Sequence, residues 1–263
     1  MRIATCNVNG IRAAARKGMG EWLATAAPDV LLLQEVRAPE EIAEALIGPG
    51  YQVFTRPCDI KGRAGVSVAV RDGIAVSAVR DGVAKEAVAE PPVDTGRWLE
   101  VDLPGLTVIS AYLHSGDAKS EEKMAAKYAH LELVSDRLQS LAATNVLVAG
   151  DFNIVHTPLD ITNWKSNHNR TSGVLDPEIA YVDRWLGLGY VDVQRSLTNE
   201  EQGPYTWWSQ RGKAFDNNVG WRIDYQMASP TVAAQAGGFQ IDRAPSYDMR
   251  WSDHAPLIVD YEE

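Results

Sequence analysis

The chain has 263 residues, 45% of them hydrophobic and 23% charged, the proportions of a globular protein with a full core. No run of about 18 apolar residues occurs, which excludes a membrane-spanning helix. The net charge of −10, from 25 Lys and Arg against 35 Asp and Glu, excludes a broadly basic nucleic-acid footprint but not a local site.

Met1-Arg2-Ile3 passes straight into Ala4-Thr5-Cys6-Asn7, so no signal peptide is expected. Cys6 and Cys58 are too few for a disulfide framework and wrongly spaced for zinc, which points to a reducing, cytoplasmic setting. With no linker-like stretch, fixed-period repeat or low-complexity segment, one domain over residues 1–263 is expected, and a monomer.

Residues 2–8 read as a first strand that ends in Asn7-Val8-Asn9-Gly10, and Arg12 to Ala27 as a helix stopped by Pro28. Val30-Leu31-Leu32-Leu33-Gln34-Glu35 repeats the pattern of an apolar strand delivering a polar end, and a helix follows over about Pro39–Leu46. Short strands are expected at Tyr51–Phe54, Val66–Val70, Ile74–Val79, Trp98–Leu103 and Leu106–Tyr112, with Asp72-Gly73, Asp81-Gly82 and Pro104-Gly105 as turns. From Ser120 to Leu141, Met124, Tyr128, Leu131, Val134, Leu138 and Leu141 form one apolar stripe at helical spacing.

Val146-Leu147-Val148-Ala149-Gly150-Asp151-Phe152-Asn153 is the central strand. Its alternation puts Asp151 and Asn153 on one face and turns Phe152 inward, while Gly150 admits a close neighbour. An irregular polar loop (156–171), a helix over Pro177–Leu188 and a strand at Val191–Val193 follow. A tryptophan-rich hairpin then runs from Tyr205-Thr206-Trp207-Trp208 to Trp221-Arg222-Ile223-Asp224-Tyr225, and Leu257–Tyr261 is the last strand. Strands, helices and hairpin links in this mixture predict a layered α/β sandwich with mixed sheets rather than a doubly wound parallel sheet.

Polar groups gather at strand ends: Asn7 with Asn9, Glu35, Tyr112, Asp151 with Asn153, Asp224, and Asp253-His254. Carboxylates and amides with one histidine and no cysteine suit a hard cation, Mg²⁺ or Mn²⁺, rather than zinc. No phosphate-binding Gly-rich loop with Lys-Ser or Lys-Thr and no Gly-x-Ser-x-Gly elbow occurs, which leaves metal-assisted hydrolysis of a phosphate ester. In extended chain Asp253 points away from the face of His254, so Asp224 is the candidate partner for that imidazole. His114, His130, His156 and His168 show no ligand spacing and are expected at the surface or in loops.

Together Asn7-Val8-Asn9-Gly10, Leu33-Gln34-Glu35, Gly150-Asp151-Phe152-Asn153, the run from Asp216 to Tyr225 and Ser252-Asp253-His254-Ala255-Pro256 resemble the exonuclease III family of apurinic/apyrimidinic (AP) endonucleases, within the endonuclease/exonuclease/phosphatase superfamily. The resemblance covers the chain in order. It implies a four-layer α/β sandwich, two mixed β-sheets packed face to face with helices outside. It also implies Glu35 as main metal ligand with Asn7 and Asp253 beside it, Asp151 positioning or activating water, Asn153 aligning it, and Tyr112 with His254 and Asp224 holding the phosphate. Trp207, Trp221 and Ile223 would line a pocket for a sugar lacking its base, with plain core packing as the alternative, which is preferred for Trp208. Double-stranded DNA with abasic sites or 3′ ends is the implied partner. Asn9, Arg12, Arg56, Lys61, Arg63, Lys165, Arg211 and Lys213 are candidates to meet it.

The pattern departs from the family at His114, where proline is usual, at Asp117, where some relatives are basic, and at Arg170-Thr171-Ser172, where an asparagine is common. Two other readings stay open: a phosphatase acting on a small phosphate or lipid headgroup, and a catalytically silent DNA-binding protein.

Overall fold

The structure is a computed structural model, and it describes residues 1–84, 89–198 and 200–262. In chain order the elements are β1 (Arg2–Asn7), α1 (Ile11–Arg16), α2 (Met19–Ala26), β2 (Val30–Gln34), α3 (Glu40–Ile47), β3 (Tyr51–Arg56), β4 (Val66–Arg71), β5 (Ala78–Asp81), β6 (Trp98–Leu103) and β7 (Leu106–Tyr112). There follow α4 (Glu121–Leu141), β8 (Val146–Asp151), α5 (Trp164–Asn167), α6 (Asp176–Gly187), β9 (Val191–Asp192), α7 (Val193–Leu197), β10 (Trp207–Trp208), β11 (Gly220–Trp221), β12 (Asp224–Ala228), α8 (Pro230–Ala233), β13 (Ala236–Ile241) and β14 (Leu257–Tyr261).

Two six-stranded sheets carry the fold, in the orders β13-β14-β1-β2-β4-β3 and β5-β6-β7-β8-β12-β9. Each is mixed, with one parallel pair, β1–β2 and β7–β8, among antiparallel neighbours. Ile3, Leu32 and Val68 of the first sheet meet Val101, Val108 and Leu147 of the second in one buried cluster, which places the main core between the sheets. The opposite face of the first sheet packs Ala4, Leu31 and Leu33 on Ile11, Met19 and Leu23 of the first two helices. The second sheet packs Ile109 and Val148 on Leu131, Val134 and Leu138 of α4 and on Val182 and Trp185 of α6. The layers therefore run helix, sheet, sheet, helix, as expected. Among the described residues, no helix is long and apolar enough to cross a membrane.

The departures have local causes. The helix expected over Arg12–Ala27 breaks at Lys17-Gly18, where Gly18 takes a left-handed φ of 106°. The strand expected at Ile74–Val79 forms only over Ala78–Asp81, where it can pair with β6. The edge strand β13, absent from the elements expected above, takes its pairing from β14, with a bulge between Ala236 and Gly238. His114 and His130 are buried, against expectation: His130 is on the covered side of α4, packed edge-on to His114, which bonds Asp94 at 2.6 Å.

Candidate active site

Register brings the polar strand ends to one rim. Asp151 stands opposite Asp224 on β12 and beside Tyr112 on β7, and Asn7 ends β1 on the facing sheet. Gly150 makes this approach feasible, since a Cβ there would lie 1.9 Å from the Ala111 carbonyl oxygen, so no other residue fits.

Asn7 is fully buried and links the two sheets. Its Nδ2 donates to Glu35 Oε1 at 3.0 Å and to Asp151 Oδ2 at 2.9 Å, while its Oδ1 accepts the Asn9 backbone N–H at 2.9 Å. Glu35 follows β2 in a left-handed turn (φ 50°) and also accepts the Tyr112 hydroxyl at 2.8 Å and the Arg37 guanidinium. Burial pushes the Glu35 carboxyl up, but Asn7, Arg37 and Tyr112 outweigh it and hold the group below the usual carboxylate range. Burial, with Glu35 and Asp151 nearby, pushes the Tyr112 phenol well up, so it stays a donor.

His254 Nδ1 lies 2.8 Å from Asp224 Oδ2, and its Nε2 lies 3.8 Å from Asp151 Oδ2. Burial disfavours the imidazolium, yet Asp224, Asp151 and Asp253 more than compensate and raise the group to about 10, so Nε2 carries a proton at neutral pH. Asp151, buried beside Asp224 and Glu35, is pushed up to about 7 against the pull of His254 and Asn7. Asp253 faces elsewhere, accepting from Asn9 Nδ2 at 3.0 Å and Trp207 Nε1 at 3.2 Å. The alternation read from the sequence therefore holds: adjacent residues serve different partners. Asn153, left-handed at φ 51°, donates its backbone N–H to Asp151 Oδ1 and its Nδ2 to the Leu113 carbonyl, each at 2.9 Å. These bonds leave its amide oxygen for the cleft.

Glu35, Tyr112, Asp151, Asn153, Asp253 and His254 line a cleft of about 540 Å³ together with Trp207, Trp221 and Ile223. The two indoles are half-buried and meet edge-to-face at 5.5 Å, on strands that pair directly. Trp208 points into the core against Phe215.

Residues 4–254 match the endonuclease/exonuclease/phosphatase family. The chain belongs to that family. It is 29% identical over 268 residues to an exodeoxyribonuclease of Bacillus subtilis, covering 98% of both chains. An AP endonuclease from Archaeoglobus fulgidus superposes with a TM-score of 0.85 at 28% identity, and a 3′ phosphatase from Neisseria bound to a product DNA hairpin with 0.86 at 25%, each over 100% of both chains. The likeness to exonuclease III-type AP endonucleases drawn from the motifs is borne out over the whole chain, and with it the expectation of an enzyme of the nuclease class.

For this family member the cleft gathers Glu35, Tyr112, Asp151, Asn153, Asp253, His254, Trp207, Trp221 and Ile223, with Asn7, Asn9 and Asp224 bonded directly behind them. It does not gather Arg12, Lys61, Arg63 or Lys165, which are exposed and do not line it. Arg211 and Lys213 are exposed too, and Arg56 is engaged with Asp59 and Asp81. The cations at the mouth are instead Lys119, Lys123 and Arg170. Sequence reasoning missed these and Arg37; the one available signal was the Lys119/Lys123 spacing of four at the start of α4.

The donor set accommodates a hard cation, since Glu35, Asp151 and Asp253 offer carboxylate oxygens without sulfur. Among the described residues, Asp151, Asp224 and His254 also hold potential ligand atoms within 4.8 Å of one another. The Asp224–His254 bond already engages one atom of each, which makes the Glu35 side the more available. Asn7 orients two of these carboxylates through its Nδ2, and its oxygen, which accepts the Asn9 N–H, keeps a second lone pair beside them.

Proposed function

We propose that this chain is a monomeric, single-domain cytoplasmic DNA repair nuclease dependent on Mg²⁺, with Mn²⁺ able to substitute. On double-stranded DNA it hydrolyses the phosphodiester 5′ to abasic sites, and it also acts at 3′ ends. The observation that carries this reading is the cleft itself, in which a hydrolytic set of Asp151, Asn153, Tyr112 and His254 faces an aromatic wall of Trp207 and Trp221. Two unpaired cysteines, Cys6 and Cys58, support the reducing compartment.

Glu35, with Asp253 and Asp151, would hold the divalent ion, which when bound supplies positive charge against the scissile phosphate and eases ionisation of water. Asn153 and Asp151 sit two residues apart on one face and accept the two hydrogens of a single water, aligning its lone pair on phosphorus. Asp151, pushed up by burial toward neutrality, takes the proton as the P–O bond to the 3′ oxygen breaks, and that oxygen leaves as a 3′-hydroxyl with a proton from solvent. The Nε2–H of His254, kept charged by Asp224, donates to the phosphate oxygens as their charge grows, and the Tyr112 hydroxyl joins it by turning its one proton from Glu35 to the phosphate. The indole wall receives an extruded sugar lacking a base, and an intact nucleotide is excluded by size. Lys119, Lys123 and Arg170 provide local positive charge for the DNA backbone on a chain that is acidic overall.

A duplex carrying one tetrahydrofuran abasic analogue, incubated with Mg²⁺ or with EDTA, tests the proposal. Incision 5′ to the analogue that EDTA abolishes is the expected result. Hydrolysis of small phosphate monoesters with the duplex left intact refutes it.

A further inference from the structure

Behind the cleft lies a buried ion pair that the reaction described above does not use. Lys127 on α4 and Glu178 on α6 are both fully buried, with Nζ 2.7 Å from Oε1. Burial of two charges is costly and is offset only when hydrogen bonds satisfy the remaining atoms. Here those bonds run to the segments that line the cleft. Nζ donates to the Asn153 carbonyl at 3.0 Å and the Ser115 carbonyl at 3.3 Å. Glu178 accepts the backbone N–H of Gly173 at 2.5 Å and of Leu175 at 3.1 Å. The Ser172 hydroxyl lies 2.9 Å from Glu178 Oε1 and 2.6 Å from the Ser115 carbonyl. Ser115, Asn153 and Ser172 are all part of the cleft wall.

Asn153 is the sensitive point. Its backbone N–H is bonded to Asp151 and its side-chain NH₂ to Leu113, so its carbonyl, held by Lys127, is what fixes the far side of its left-handed turn. Gly173 packs against that same carbonyl, where an added Cβ would come within 2.9 Å of the oxygen and 3.4 Å of the Trp221 ring. One buried pair thus sets the spacing between the water-aligning amide and the aromatic wall.

We propose that Lys127 and Glu178 are positioning residues for hydrolysis: together they hold the Asn153 amide oxygen and the Ser172-Gly173 turn in register with Asp151. The inference rests on the hydrolytic reading of the cleft given above. The competing account is an ion pair that only joins α4 to α6. That account predicts a lower melting temperature and an unchanged turnover number for the folded protein.

The double substitution Lys127→Met/Glu178→Met removes both charges together and keeps the side chains similar in length, so neither is left buried and unpaired. Two measurements are made on the full chain. Hydrogen exchange of the amides at 153–155 and 173–174 reports the turn without reference to any substrate, and is expected to accelerate at least about tenfold. Turnover on the tetrahydrofuran duplex is expected to fall roughly 10- to 100-fold, because a displacement near 1 Å has that effect. KM is expected to stay within about threefold, since the DNA-facing cations are untouched. Unchanged exchange overturns the proposal whatever the protein cuts, and so does unchanged turnover in the folded variant. Accelerated exchange in a protein whose wild type never cuts the duplex refutes the functional reading instead, and upholds the pair's hold on the turn. If the double variant does not fold, Lys127→Gln/Glu178→Gln, which also removes both charges but keeps polar ends for the surrounding backbone groups, is read by the same two measurements. There a smaller exchange increase with a matching fall in turnover supports the proposal, and no change in either overturns it.

Discussion

Asp224→Asn isolates the electrostatic part of the His254 site. Asp224 is fully buried and His254 is 8% exposed, and the 2.8 Å contact between them survives in shape when the carboxylate becomes an amide. In the wild type the imidazolium is held from 6.5 up to about 10, which corresponds to roughly 5 kcal/mol favouring the charged form. Because the folded value lies above the unfolded one, this contribution is fully present below about pH 6.5 and fades as pH rises toward 10. Asp151 and Asp253 remain in the variant, so the contribution is reduced rather than abolished. The expected outcome is a stability deficit of about 2–4 kcal/mol for Asp224→Asn at pH 6 that shrinks steadily by pH 10. Urea midpoints of the two proteins in EDTA at pH 6, 8 and 10 measure it directly. The alkaline limb of the activity profile is expected to move at least about one pH unit to the acid side. A deficit that is constant with pH, or that grows as pH rises, refutes the assignment of a charged His254 held by Asp224.

Other consequences follow from the same geometry. Glu35→Gln keeps the Asn7 and Tyr112 contacts but removes a charge, so Mg²⁺ affinity measured by calorimetry and incision rate are expected to fall together; unaltered affinity places the ion elsewhere. Trp221→Ala opens a half-buried wall, so the rate ratio of abasic to undamaged duplex is expected to narrow. The stability loss should fall below the roughly 3–5 kcal/mol of a fully buried tryptophan, whereas an unchanged ratio with a large drop in Tm returns Trp221 to the core. Burial raises Asp160, but Arg222 and Arg195 dominate and hold it at about 2, so its roughly 2 kcal/mol of stability is lost as pH falls from 4 to 2. Asp160→Asn is expected to be less stable at pH 7 and flatter over that acid range; an acid limb as steep as the wild type's contradicts the pairing.

What the sequence made legible was whatever strand geometry dictates locally. Alternation anticipated the separation of Asp253 from His254 and the inward turn of Phe152, which stacks on Tyr225 at 4.9 Å, but the strand stops at Asp151 and Asn153 reaches the cleft through a left-handed turn closed on the Asp151 carboxylate. The motifs did the rest for the catalytic set, because each sits at the end of a strand whose neighbours fix its register. The cations were not legible, since a surface Lys or Arg carries no periodic signal. Lys119, Lys123 and Arg170 reach the cleft only because the segment before α4 and the loop before α6 fold to the same side, whereas Arg12 and Lys165, equally plausible by type, do not line it. Arg37 reaches Glu35 because both residues adopt left-handed backbone in a short turn, a conformation that neither residue type announces. The apolar stripe of α4 was correct, and Lys127, three residues after Met124 and four before Leu131, lies within that stripe despite its charge, with His130 at its margin. At the turn of Lys127 this face covers the chain at Asn153. A charge buried on such a face needs a partner, and Lys127 finds Glu178 more than fifty positions downstream, at a separation that no local pattern encodes.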